Sequence, residues 1–283
     1  MNIIKGSAEM QQFSRNERRR GKTIGFVPTM GALHQGHLSL ISLAKTRANL
    51  VVLSIFVNPL QFGKNEDFSK YPRPIEKDTA LAENAGVDVL FLPEASDFYA
   101  ESHQTFVSVE GLTERFEGAI RPGHFRGVST VVMKLFGTVM PEVAVFGKKD
   151  AQQFAVIKRM TEDLNLDIEI LGGEIVREPN GLAMSSRNMY LTEESRQQAG
   201  VISKAIFNAK HSIDSGERDM EKLLLAVESE LKTFSKLTID YLDIVRLNDF
   251  QTPEKLEKGV EYVLLVTVRV EGVRLLDNLF FTA

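Results

Sequence analysis

His34 and His37 stand three residues apart in the segment Val27-Pro28-Thr29-Met30-Gly31-Ala32-Leu33-His34-Gln35-Gly36-His37-Leu38. A β-rich run, Thr23 to Val27, leads into it, and a helical run with Leu40, Leu43 and Ala44 on one face leads out. The two imidazoles are therefore expected where a strand gives way to a helix N-terminus. The first N–H groups of such a helix lack internal partners and its dipole favours negative charge, so phosphate is the natural guest. Histidine adds donors that follow charge as it develops on a phosphoryl group. Gly31 and Gly36 permit close backbone approach to a ligand. Taken alone, H-x-x-H also describes a surface pair beside a turn.

Other polar clusters fall after apolar runs in the same way. Asn58-Pro59-Leu60-Gln61 follows a second strand-like run, and Gly147-Lys148-Lys149-Asp150, with Gln152 and Gln153, follows another. Met184-Ser185-Ser186-Arg187-Asn188 lies further on, and Arg121-Pro122-Gly123-His124-Phe125-Arg126-Gly127 precedes an apolar helical run. Singly, each has an ordinary account: a turn, a solvated charge run, a helix N-cap, a basic loop. Together they supply Lys and Arg for phosphates and amides for hydroxyl or carboxylate groups. Ligands of doubly wound sheets bind beyond the carboxyl ends of the strands, which is where these clusters are expected to converge.

The elements that would position them alternate. Strand-like runs cover 24–27, 50–57, 88–92, 143–146 and 167–171, with helical runs at 38–48, 76–85, 128–139 and 151–164 between them. The strands are nearly continuous apolar runs, as when helices cover both sheet faces. The pattern predicts an α/β fold with a Rossmann-like doubly wound parallel sheet over residues 1–177. Beyond it, helical runs at 192–212 and 218–234 precede strand-like runs at 238–247, 262–270 and 273–279, the last two joined by Glu271-Gly272 as a tight hairpin. A smaller C-terminal α+β domain over 178–283 is expected.

Bulk properties narrow the function. The 283 residues are 43% hydrophobic and 25% charged, with net charge −4 and no cysteine. That balance gives no electrostatic case for nucleic acid. The missing cysteines exclude disulfides, thiolate chemistry and Cys-ligated zinc. No apolar run approaches the ~20 residues of a membrane span, and the start lacks a secretory core, so a cytoplasmic protein without membrane contact is expected. P-loop, G-x-G-x-x-G, G-x-S-x-G and H-E-x-x-H motifs are absent. No protein metal site is expected, and any divalent ion arrives with the nucleotide.

In order along the chain, Val27 to His34 with Gly36-His37, Phe56 to Phe62, Tyr71-Pro72-Arg73, His124 to Val128, Phe146 to Asp150 with Gln153, and Met184 to Asn188 form a specific set spanning nearly the whole sequence. The set resembles the pantothenate synthetases, the pantoate–β-alanine ligases of the H-x-G-H nucleotidyltransferase superfamily. The resemblance implies an ATP-binding Rossmann-type domain, a C-terminal domain that closes over it, and a homodimer. It implies attack of pantoate on the α-phosphate of ATP, with Mg²⁺, to give pantoyl adenylate and pyrophosphate. β-Alanine then displaces AMP.

By the same resemblance, Met30, Gly31, Ala32, Leu33, His34, Gln35, Gly36 and His37 bind ATP, with His37 as proton donor. Gly147, Lys148, Lys149, Asp150, Val176, Met184, Ser185, Ser186 and Arg187 complete the nucleotide site. His34, His37, Lys149 and Arg187 form the catalytic set. Gln61 and Gln153 hold pantoate, with Asn58 and His124 as its neighbours, and Gln61 also adjoins β-alanine. The competing readings are a nucleotide-forming adenylyltransferase of the same superfamily, which would retain AMP in its product, and a non-catalytic nucleotide sensor. An aminoacyl-tRNA synthetase would need more RNA-binding surface than this acidic chain with its small C-terminal segment offers.

Overall fold

Every residue from Leu50 to Ile55 is buried, which requires cover on both faces of the strand they form. A computed structural model, which describes residues 1–63, 66 and 68–283, shows how that cover is made. Two compact units are present, Met1–Lys148 with Val156–Gly173, and Lys149–Ala155 with Glu174–Ala283.

Among the described residues of the first unit, six strands form one parallel sheet: β1 (Asn2–Ile4), β2 (Ile24–Thr29), β3 (Leu50–Ile55), β4 (Val89–Phe91), β5 (Val143–Gly147) and β6 (Glu169–Gly173). Their order is β1-β4-β3-β2-β5-β6, with the chain reversing direction across the sheet at β2. The helices of this unit are α1 (Ser7–Arg19), α2 (Gln35–Lys45), α3 (Ile75–Asn84), the single turns α4 (Ala95–Phe98) and α5 (Glu117–Ile120), and α6 (His124–Val139). The next, α7 (Ala151–Asp163), has its first turn grouped with the second unit. Ile41 and Ala44 of α2 are buried against a core that includes Val27, Leu53 and Val145. The doubly wound parallel sheet is as expected from the alternating runs.

The sequence reading omits β1 and α1. Helix α1 is strongly polar, and only Met10, Ser14 and Glu17 are buried, so it carries almost no apolar period to detect. Helix α6 begins at His124 rather than at 128, which places Gly127 inside its first turns.

The second unit contains α8 (Glu193–Gln198), α9 (Val201–Asp214), α10 (Met220–Leu231) and an antiparallel sheet β7-β8-β9, formed by Leu237–Arg246, Glu261–Val270 and Val273–Thr282. The expected helix at 192–212 is interrupted between Gln198 and Val201. At that break a Cβ on Gly200 would lie 2.3 Å from the Asn180 carbonyl oxygen. Glu271 and Gly272 both have positive φ, 51° and 83°, as a tight two-residue hairpin between right-twisted strands requires. The α9 and α10 stripes, Ile202, Ala205, Ile206, Ala209 and Leu223, Val227, Leu231, pack with Leu264, Val266 and Val268 of β8 in one core. No described helix is long and apolar enough to cross a membrane.

Candidate active site

The carboxyl end of β2 turns sharply through Gly31 and Ala32, whose φ angles are 85° and 51°. Left-handed backbone is ordinary for glycine and costly for alanine, so something must hold the turn. Asp78, in the first turn of α3 and fully buried, does so. Its carboxylate accepts the backbone N–H groups of Ala32 at 2.7 Å and Leu33 at 2.8 Å. Thr29 Oγ1 accepts the Gly31 N–H at 3.2 Å and donates to the Ser54 carbonyl at 2.8 Å.

The turn delivers His34 as the N-cap of α2. Its Nδ1 accepts the Gly36 N–H at 3.1 Å, and His37 Nδ1 accepts the His34 N–H at 3.2 Å. A backbone N–H can only donate, so in each neutral ring the proton sits on Nε2. The rings lie 4.1 Å apart, centroid to centroid. Gly36 is required by this approach, because a Cβ there would meet the His34 ring at 2.8 Å. The sequence reading offers the first helix amides to phosphate. In the structure the Ala32, Leu33 and Gly36 amides donate to side chains and the His37 N–H donates to His34 O.

Beyond β3, Asn58 caps a 3₁₀ turn, Pro59–Gln61. Asn58 Oδ1 accepts from the Leu60 N–H at 3.2 Å and the Tyr99 hydroxyl at 2.9 Å, while Nδ2 donates to Gln61 Oε1 and to the Gly127 carbonyl, both at 3.1 Å. Gln61 Nε2 points toward Met30 Sδ, 3.0 Å away. The Gln61 carbonyl is held by His124 Nδ1 at 2.9 Å, and Arg121 Nη1 lies 3.1 Å from His124 Nε2. Arginine only donates, so His124 is the neutral Nδ1–H tautomer. Burial, aided by the Arg121 charge, lowers its pKa to about 4. Arg121 also clasps Glu66 through two nitrogens. Burial pushes the Glu66 carboxyl up, but Arg121 outweighs it and holds the group below its usual range. Asn58 and His124, expected beside pantoate, therefore have their polar atoms bonded within the protein.

The second unit holds a separate set. Met184 N–H donates to the Val176 carbonyl at 2.9 Å, across a bridge pairing Arg177 with Ala183. Arg177 forms a two-nitrogen ion pair with buried Asp277 on β9. The adjacent Asn278 donates to the Lys149 carbonyl at 2.6 Å. Ser185 caps the 3₁₀ turn Ser186–Tyr190 by accepting the Arg187 N–H at 3.2 Å. Asn188 donates to Glu178 at 2.7 Å and to the Ala183 carbonyl at 3.1 Å.

A sequence profile of the family described as pantoate-beta-alanine ligase matches residues 2–280. The pantothenate synthetase of Heliobacterium modesticaldum is 52% identical over 279 residues, covering 99% of both chains. That of Caldicellulosiruptor bescii is 47% identical over 283 residues, covering all of both. The chain belongs to the pantoate–β-alanine ligase family. Among solved structures, a pantothenate synthetase from Thermus thermophilus matches with a TM-score of 0.92 and 43% identity over 99% of each chain. A pantoate–β-alanine ligase from Francisella tularensis, described as complexed with beta-gamma ATP and β-alanine, matches with a TM-score of 0.79 and 32% identity, covering 99% of this chain and 97% of that one.

Within this pantoate–β-alanine ligase, Met30 to His37, Asn58, Gln61, His124, Gly147 and Lys148 belong to the first unit. Lys149, Asp150, Gln153, Val176 and Met184 to Arg187 belong to the second. The structure brings Met30 to Gln61 and Val176 to Met184 directly. Sequence reasoning missed Asp78, Tyr99, Glu178 and the Asp277-Asn278 pair. Their partners lie many positions away along the chain, so no local spacing marks them.

Proposed function

We propose that this chain condenses pantoate with β-alanine to give pantothenate, in two steps. In the first, a pantoate carboxylate oxygen bonds to the ATP α-phosphorus as the bond to the bridging oxygen breaks, releasing pyrophosphate. In the second, the β-alanine amine bonds to the carbonyl carbon of pantoyl adenylate, loses a proton, and AMP departs. The observation that carries this reading is the braced turn presenting two Nε2-protonated imidazoles at the end of β2, in a chain matched by its family from end to end. A relative described as complexed with beta-gamma ATP and β-alanine supports ATP and β-alanine as ligands.

In this reading Met30 to His37, Gly147, Lys148, Lys149, Asp150, Val176 and Met184 to Arg187 bind ATP. His34, His37, Lys149 and Arg187 stabilise the charge that develops on the phosphates. Gln61 and Gln153 hold pantoate, and Gln61 also adjoins β-alanine. Asn58 and His124 act through Gln61. Mg²⁺ enters as part of the nucleotide substrate and neutralises phosphate charge. Among the described residues no cluster of three or more His, Cys, Asp or Glu forms a cage for it. A cytoplasmic homodimer completes the reading.

The decisive experiment follows labelled pyrophosphate into ATP with pantoate present and β-alanine absent. Pantoate-dependent exchange is expected. Exchange that ignores pantoate, or nucleotide binding with no exchange, would overturn the reading.

A further inference from the structure

The hydrogen bonds around Asn58 can be oriented without knowing which end of any side-chain amide is nitrogen. The Leu60 N–H can only donate, and it meets one end of the Asn58 amide at 3.2 Å. The Gly127 carbonyl can only accept, and it meets the other end at 3.1 Å. Two backbone groups thus fix Asn58 with Oδ1 toward Leu60 and Nδ2 toward Gly127. Tyr99, 2.9 Å from Oδ1, must donate its hydroxyl proton. Burial pushes the Tyr99 phenol up, so that proton stays in place through the working pH range. The second Asn58 Nδ2 proton goes to the Gln61 side chain at 3.1 Å, so the atom it meets is Oε1.

With Oε1 tied to Asn58, Nε2 of Gln61 must face Met30, and its neighbour there is a thioether sulfur, a weak acceptor. A stronger acceptor on a ligand would replace it. Asn58 is buried, and all four hydrogen-bonding positions of its amide are filled by protein.

We propose that Asn58 and Tyr99 are positioning residues that set the polarity of Gln61, so that its amide meets the substrate with N–H donors and selects hydroxyl or carboxylate oxygens. The proposal rests on the reading that Gln61 holds pantoate, a hydroxy acid with such oxygens. A Gln61 amide turned the other way would set carbonyl oxygen against carboxylate oxygen. Tyr99 stands 41 residues from Asn58 in sequence and its hydroxyl meets Oδ1, the opposite end of the amide from the nitrogen that donates to Gln61.

The test is a double-mutant cycle read as KM for pantoate and KM for ATP in pyrophosphate exchange. Asn58→Asp keeps the shape but removes both donors. Gln61 then turns its Nε2 to the new carboxylate, and KM for pantoate should rise on the order of tenfold to a hundredfold, with KM for ATP nearly unchanged. Tyr99→Phe, which removes one oxygen and keeps the ring, should raise KM for pantoate about threefold. It carries the test if Asn58→Asp does not fold. Gln61→Met keeps length without either amide pole and should raise KM for pantoate by itself. In that background Asn58→Asp and Tyr99→Phe should add nothing, because their only route to the substrate is gone. Additive effects would show that Asn58 or Tyr99 acts elsewhere and would overturn the proposal. An unchanged KM for pantoate in Gln61→Met alone would instead remove the reading of Gln61 on which it stands.

Discussion

Gly127→Ala sets two physical effects against each other at one atom. In an exposed helix interior, alanine for glycine stabilises by about 1 kcal/mol. Gly127 lies within the first two turns of α6 and is buried. A Cβ there would fall 2.3 Å from the Leu60 carbonyl oxygen, 2.5 Å from its carbon and 2.7 Å from Gln61 Cα. These are backbone atoms, and ordinary contact begins near 3.4 Å, so helix and turn must separate by about 1 Å. Overpacking against backbone costs about 3 kcal/mol, the upper end of its usual range. The net is a loss of about 2 kcal/mol, or roughly 4–8 °C in Tm. The displaced turn carries Gln61, and Asn58 donates to the Gly127 carbonyl itself. A shift of that size should lower kcat/KM for pantoate roughly a hundredfold. Thermal unfolding and pyrophosphate exchange measure the two losses separately. A Gly127→Ala protein more stable than the parent, with unchanged KM for pantoate, would refute the argument.

Asp78→Asn keeps one acceptor for the Ala32 and Leu33 amides but turns a second donor against them. At a fully buried site this should destabilise by about 3 kcal/mol in urea titration and weaken nucleotide binding, because the left-handed Ala32 loses its hold. His124 binds a proton near pH 4 in the fold and near 6.5 when unfolded, so the unfolded chain holds more protons between those values. Stability from this residue is therefore complete above about pH 6.5 and falls as pH falls, by about 2 kcal/mol at pH 5, and His124→Asn should flatten that part of a pH–stability profile. His37→Ala and Lys149→Ala should each slow adenylate formation roughly 10²–10³-fold in proteins that still fold, His37→Ala losing about 1 kcal/mol because its ring no longer accepts the His34 N–H. Near-normal exchange in either variant would remove that residue from the mechanism.

The apolar runs at β2, β3 and β5, the strand-to-helix switch at His34 and the Glu271-Gly272 hairpin were legible because each is a local pattern. Burial on both faces demands continuous apolar strands, and a two-residue turn demands φ that glycine supplies. Polar α1 carried no such pattern, and Gly127 read as a helix boundary because glycine usually interrupts helices. The residue types of the site were also visible in sequence: two histidines, Asn58, Gln61 and the lysine and arginine clusters. Tertiary structure alone decided what each can do. Asp78 reaches the Gly31-Ala32 turn from α3, and Tyr99 and Gly127 orient Asn58 from two other segments. Hydrogen-bond polarity and proton position depend on which groups meet in space, and no spacing along the chain encodes that.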